Sequence, residues 1–545
     1  MPIEFDFIIA GAGSAGCVLA DKLSASGEYS VALVETGSSD KKFWIQTPIG
    51  YGITYTDPKV NWCFTAAPDS ALKNRSLYWP RGKVLGGSSS INALVYHRGQ
   101  MQDYDDWALA TNTSWNYKNA EKIYESFEER LEPNSVVQSN HNIPEPVNKL
   151  SVFNASADYH NLKHDFQDAF SELNLTSSSQ GFFAGEGLGP YWLTTRNGKR
   201  CSSASAFLHP AASRPNLYIL TETSATKINI RNKRAVGIEV TGKNKKRTLK
   251  ARREVIVAAG AVNSPQLLQL SGIGGSHHLN TLGIKPIVEH PHVGQHLQDH
   301  LGINYFFKSK KPTLNNTLGS WPGRLRSGIQ YIARRRGPLS LSVNQVGGLV
   351  RADPQTAHVD TQLYCNPVSY QPADTYARKL TQPDSYPGFI MGFNPCRPTS
   401  EGAITVRSNN PNDAPEIRTN YLSTGHDLNA IVGMAKLIGK IQDTQAIQNI
   451  LSEAPNMDLT NLGEDQIIED FRSRASTVYH PCGTCRMGTS IKNSVVNPEL
   501  KVHGVNGLRV IDASVFPNIT SANTNAPTIM VAHQGARFIL SDHGS

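Results

Sequence analysis

The stretch YHPCGTCRMG (479–488) sets His480 two positions ahead of Cys482, and Cys485 completes a Cys-x-x-C pair. Three chemistries use these residue types at this spacing. Thiolates and an imidazole bind zinc, which would need further ligands to complete a tetrahedral set. A Cys-x-x-C pair can cycle between dithiol and disulfide. A single histidine, with an unperturbed pKa of ~6.5, exchanges protons near neutral pH. The chain has no second Cys-x-x-C and no thioredoxin-like context around this one. The elements that position these residues must decide among the readings.

The clearest elements are at the N-terminus. FDFIIAGAGSAGCVLADKL reads as a strand over Phe5–Ala10, a glycine turn, and a helix carrying Val18, Leu19 and Leu23; a second strand, SVALVE, ends at Glu35. Gly11, Gly13 and Gly16 fit G-x-G-x-x-G, with Ser14 and Ala15 at the helix start. Such glycines permit a tight turn, close approach of a pyrophosphate to backbone N–H groups, and close helix-to-strand packing. Glu35 stands about 20 residues on, where a carboxylate accepts hydrogen bonds from ribose hydroxyls. A 2′-phosphate is thereby disfavoured, leaving FAD and NAD.

The 545 residues exceed the ~250–300 at which single cores stop growing, so two or more domains are expected. Hydrophobic residues at 39% and charged residues at 18% describe a soluble globular protein. The net charge of +8 is concentrated in KNKKRTLKARRE (243–254) and ARRRG (333–337). The first run follows apolar AVGIEV and reads as a solvated hairpin rather than a nucleic-acid face. No apolar run reaches the ~20 residues of a membrane span, and the N-terminus lacks the basic and apolar regions of a signal peptide. Seven scattered cysteines point to reduced thiols and a cytoplasmic protein.

A second glycine loop, WPRGKVLGGSSSINALVYHRG (79–99), frees the backbone at Gly86 and Gly87 to run against a ligand. Together with GAVNSPQLLQLSGIG (260–274), NGLRVIDASVFP (506–517) and SANTNAPTIMVAHQGARFI (521–539), it resembles the glucose-methanol-choline (GMC) family of FAD-dependent oxidoreductases, and most of all its bacterial choline dehydrogenase-like alcohol oxidoreductases. The stretch GAVNSPQLLQLSGIG is expected to open a helix at Ser264-Pro265, with proline in the first turn.

The resemblance implies a composite α/β (α+β) fold. A Rossmann-like FAD domain would be assembled from residues 1–105, 198–306 and 470–545, and a substrate domain with a large antiparallel sheet from 106–197 and 307–469. His480 would be the general base in oxidation of a small alcohol to aldehyde or ketone, and Asn523 would hold the substrate oxygen. Oxygen or another carrier would reoxidise the flavin. Further cofactor contacts are implied at Trp79, Arg81, Gly82, Leu85, Gly86, Asn92, Ala93, Leu94, Val95, Ala225, Asp512, Ala513, Asn523 and Thr524, beside Gly11, Gly13, Ser14, Ala15 and Glu35. Some relatives attach FAD through a histidine where this chain has Ile91, so the flavin would be noncovalent; His97 would lie near the cofactor or the domain seam. Cys482 and Cys485 become small packing residues. A non-redox lyase of the cyanohydrin type, on the same fold and with the same His480, is the alternative. The stripe Leu428, Ile431, Val432, Ala435 and Ile438 reads as the core face of a helix.

Overall fold

The first strand, Glu4–Ala10, buries Phe7, Ile8, Ile9 and Ala10 in succession. Burial on both faces marks a central strand of a parallel layer, and its partners are Val31–Val34 on one side and Lys245–Val257 on the other, both parallel. In this computed structural model, which describes residues 3–132, 148–175, 185–242, 245–370 and 382–544, a seven-stranded sheet grows from that centre. Leu217–Leu220 and Leu508–Val510 extend it in parallel; Thr223–Arg231 and Arg234–Gly242 add an antiparallel edge. One layer is thus drawn from three distant stretches of chain. The basic run forms the expected hairpin, with Lys245 to Thr248 exposed; Lys243 and Asn244 lie outside the described residues.

A second sheet is antiparallel, in the order Ser476–Thr477, Leu301–Lys308, Gly388–Pro395, Thr361–Asn366, Val346–Val350, Gly187–Pro190. Leu301–Lys308 runs on past the expected division at 306, and Ser476–Thr477 joins from the C-terminal segment. The two-residue alternation of a strand sorts its side chains. Ile303, Tyr305, Phe307, Leu363 and Cys365 pack into a core with the helix Gly425–Gln442, which supplies Ile431, Val432, Ala435 and Ile438 as expected. Asn304, Phe306, Gln362, Tyr364 and Asn366 turn the other way and face a cavity.

One helix differs from its expected start. It runs Gly260–Leu270, so Pro265 lies inside it rather than in the first turn. A proline there cannot donate to the carbonyl four residues back, that of Ala261. The hydroxyl of buried Thr484 donates to that carbonyl at 2.7 Å, and Ser264 Oγ is tied to Asp512 at 2.6 Å. Both partners come from the C-terminal stretch, beyond the reach of local sequence signals.

Candidate active site

A cavity of about 1660 Å³ lies between the two sheets. At one end the glycine turns are packed backbone on backbone. A Cβ on Gly11 (φ +109°) would fall 2.4 Å from the carbonyl oxygen of Ala258, and one on Gly87 would fall 2.6 Å from Gly13 Cα. Gly86 N–H donates to the carbonyl of Ala12 at 2.8 Å, stitching the two loops together. The first helix (Ser14–Ser24) and the last (Asn525–His543) meet at their N-termini, where Ser14 Oγ donates to Asn525 Oδ1 at 2.7 Å. Both ends line the cavity, and helix N-termini favour an anion through their unpaired N–H groups and dipoles.

Glu35 sits just beyond the second strand. Its Oε2 accepts from Ala12 N–H at 3.0 Å and its Oε1 from Gly37 N–H at 2.8 Å. Burial pushes its pKa up to about 7 against those bonds, and a carboxylate has lone pairs left for ribose hydroxyls. Asp512 takes Gly260 N–H, Ser264 Oγ and Ser514 N–H, so it fastens the floor of the cradle. Side-chain-free turns, two helix N-termini and a carboxylate at the far strand end fit a dinucleotide such as FAD.

Of the residues expected to hold the cofactor, Gly11, Gly13, Ser14, Ala15, Glu35, Arg81, Gly82, Asn92 to Val95, Ala225, Asp512, Ala513, Asn523 and Thr524 line the cavity. Trp79, Leu85 and Gly86 do not. Alternation along Tyr78–Trp79 sends the Trp79 ring into the opposite core with Leu297 and Phe471. Leu85 is buried in the core under the first sheet, and its carbonyl and that of Gly86 are bonded by the hydroxyls of Ser90 and Ser89. Gly87 and Ser88 face the cavity instead. His97 is also buried away from it, its Nδ1 accepting from Gly99 N–H.

His480 and Asn523 meet at the cavity wall, with His480 Nε2 3.0 Å from Asn523 Nδ2. The surrounding bonds fix which nitrogen carries the proton. His300 Nε2 is 2.8 Å from the carbonyl of Cys396, which can only accept, so His300 is protonated there and its Nδ1 is an acceptor. That Nδ1 lies 2.9 Å from His480 Nδ1, which must therefore be the N–H. His480 Nε2 is left unprotonated, its lone pair accepting from Asn523 Nδ2 at 3.0 Å. Gln362 Nε2 donates to Asn523 Oδ1 at 3.2 Å, turning the Asn523 amide N–H toward the histidine.

The backbone beneath is held as firmly. Tyr479 is in the left-handed region (φ +71°), rare for a bulky residue. Arg81 donates to the Tyr479 carbonyl at 2.7 Å, and Asp299 accepts His480 N–H at 2.7 Å while also taking the hydroxyls of Thr477 and Tyr421. Burial, neighbouring His300 and the Arg81 charge hold the His480 pKa well below 6.5. Burial likewise lowers His300 to about 4. Both rings are neutral at neutral pH. Cys482 and Cys485 are fully buried in the core, separate thiols whose pKa values burial drives far up. Among the described residues no cluster of side chains has a metal site's arrangement.

His300, Asp299 and Gln362 were not singled out by the sequence. The signal for the first two is QHLQDH (295–300), a largely polar run directly after Gly294, in which Gln298, Asp299 and His300 are buried.

Comparison with known proteins agrees with this architecture. Two family models described as GMC oxidoreductase match residues 5–302 and 398–532. An alcohol dehydrogenase [acceptor] of Pseudomonas putida is 39% identical over 98% of this chain and 96% of its own. Human mitochondrial choline dehydrogenase is 36% identical over 98% and 90%. Among solved structures, formate oxidase superposes with a TM-score of 0.88 at 24% identity, covering 99% of this chain and 98% of that one; a fungal aryl-alcohol oxidase gives 0.81 at 21%, covering all of both. The chain therefore belongs to the GMC oxidoreductase family and is an FAD-dependent oxidoreductase.

Proposed function

We propose that the protein oxidises an uncharged alcohol to the aldehyde or ketone, with His480 as the general base. The observation that carries this reading is the chain Cys396 carbonyl, His300, His480, Asn523, which leaves one unprotonated nitrogen on the cavity wall. A substrate hydroxyl entering there would displace the Asn523 contact, donate its proton to His480 Nε2 and accept the Asn523 N–H. Asn523 would thus steady the alkoxide as it develops, and Gln362 would keep its amide turned correctly. FAD, when bound, supplies the acceptor for the hydride leaving the carbinol carbon. The glycine turns, Glu35 and the two helix N-termini would hold it, noncovalently, since Ile91 offers no nucleophile. The division into a cofactor domain and a substrate domain belongs to the same proposal, with the cavity along its seam.

The relatives named for alcohol and for choline suggest alcohol substrates of two kinds. Among the described residues, the carboxylates lining the cavity are Glu35 and Asp512, both engaged at the cofactor end. Around His480 the walls are Tyr51, Tyr55, Tyr364, Tyr370 and the amides of Gln362 and Asn366. Tyrosine rings alone can cage a quaternary ammonium; what favours a neutral alcohol is that, among the described residues, no carboxylate lines the cavity beside His480 to pair with a cation. The test is an anaerobic spectrum of the purified yellow protein with aliphatic, aromatic and polyol alcohols added in turn. Bleaching by a neutral alcohol is expected; bleaching by none would refute the redox reading, and bleaching by choline alone would refute the substrate class.

A further inference from the structure

The helix Trp321–Arg334 carries an apolar stripe that faces outward. Trp321, Leu325, Ile329 and Ile332 recur at helical spacing, and Trp321 is 75% exposed, Ile329 60% and Ile332 68%. The buried side of the same helix is Ser327 and Tyr331. The stripe does not stand alone. The ring of Phe43 lies edge-on to Tyr331, with centroids 6.2 Å apart, and to Trp44 at 4.9 Å. Phe43 and Trp44 are also exposed, and through the Phe43–Tyr331 contact their stretch of chain adjoins the helix. The other exposed large hydrophobics, such as Ile3, Met101 and Leu109, are scattered, as is normal for a protein surface.

Charge accompanies the patch. Arg324, Arg326 and Arg334 are exposed on the helix, Lys41 stands beside Phe43, and residues 311–352 contain no aspartate or glutamate. A helix whose outward tryptophan and aliphatics are flanked by arginines lies in the interface of an anionic bilayer, with its apolar side in the headgroup boundary and the arginines at the phosphates. Among the described residues no helix is long and apolar enough to cross a membrane. The patch also has a fixed relation to the active site, because Gly328, Tyr331 and Ile332 of this helix, with Phe43 and Trp44, line the catalytic cavity itself. The helix falls within 303–397, which neither family model covers.

We propose that this helix, with Phe43 and Trp44, seats the mouth of the cavity on an anionic lipid surface. Substrates that partition into lipid would then enter without crossing water. The docking surface is independent of the base assigned to His480, and binding is read without turnover.

The test is co-sedimentation of the FAD-loaded protein with vesicles of mixed phosphatidylglycerol and phosphatidylcholine, against pure phosphatidylcholine. The protein should bind the anionic vesicles, and more weakly the neutral ones. Trp321→Ser combined with Ile329→Ser should weaken binding at least ~10-fold, since insertion scales with buried apolar area. Arg326→Glu should abolish the preference for anionic lipid. Bound flavin should be unchanged in both variants, which excludes unfolding as the cause. Failure to bind either vesicle, or equal binding by the serine variant, would overturn the proposal. So would absence of vesicle binding together with a dimer that the serine variant converts to monomer, which would assign the patch to a second copy of the chain.

Discussion

Replacing His300 with phenylalanine should cripple the active site without touching either residue proposed to meet the substrate. In the intact protein His300 Nδ1 is the acceptor for His480 Nδ1–H at 2.9 Å. Phenylalanine fills the space and leaves that buried N–H unpaired, a loss of about 1–3 kcal/mol. His480 can relieve it by moving its proton to Nε2, which removes the lone pair the alcohol needs. With ~1.4 kcal/mol for each factor of ten in rate, the limiting rate of flavin reduction should fall about 5- to 150-fold. Glutamine at the same position can accept from His480 and donate to the Cys396 carbonyl, so His300→Gln should recover most of the loss. The assay is anaerobic rapid mixing with alcohol, monitored at the flavin band, across pH. His480 must be neutral to act, so the rate is full at neutral pH and is lost as pH falls through its depressed pKa. His300 is one of the groups that hold that pKa down, so in His300→Phe the loss should begin at a higher pH. An unchanged rate and pH profile, or a glutamine variant no better than phenylalanine, would refute the positioning role.

Other expectations follow from the cradle and the core. Because Glu35 has a pKa of about 7 with the ribose site free, and ribose hydroxyls donate to the charged form, FAD binding to stripped protein should weaken as pH falls from 8 to 6, and Glu35→Gln should remove that dependence; fluorescence titration of FAD measures both. Gly11→Ala forces a Cβ to 2.4 Å from a backbone carbonyl at positive φ, so the variant should purify with its flavin largely lost. Thr484→Val unpairs the Ala261 carbonyl inside the helix and should lower unfolding free energy by about 1–3 kcal/mol in denaturant melts. Cys482→Ala with Cys485→Ala should retain FAD and lower the unfolding free energy only modestly; a stoichiometric metal lost on mutation would contradict their packing role.

The legible parts of this molecule were those governed by local rules. The strand, glycine turn and helix from Glu4 to Ser24 follow from apolar periodicity and from turns that no side chain can enter. The stripe in Gly425–Gln442 likewise announced a core face. What local pattern could not reveal depended on distant partners. Pro265 sits inside its helix because Thr484, more than two hundred residues on, satisfies the carbonyl it leaves open. Trp79 points away from the cofactor end because its strand pairs with Phe64–Thr65 in a register that no spacing discloses. His480 could be picked out by its motif, but its protonation state is set by His300 and, through it, by the backbone of Cys396.

The central claim is that His480 takes the proton of the alcohol. The most direct measurement is the limiting rate of anaerobic flavin reduction in His480→Ala against the unaltered protein, using an alcohol that bleaches the latter. The rate should fall ~10²-fold or more, with the flavin still bound. Reduction at the original rate by a variant that retains its flavin would contradict the account.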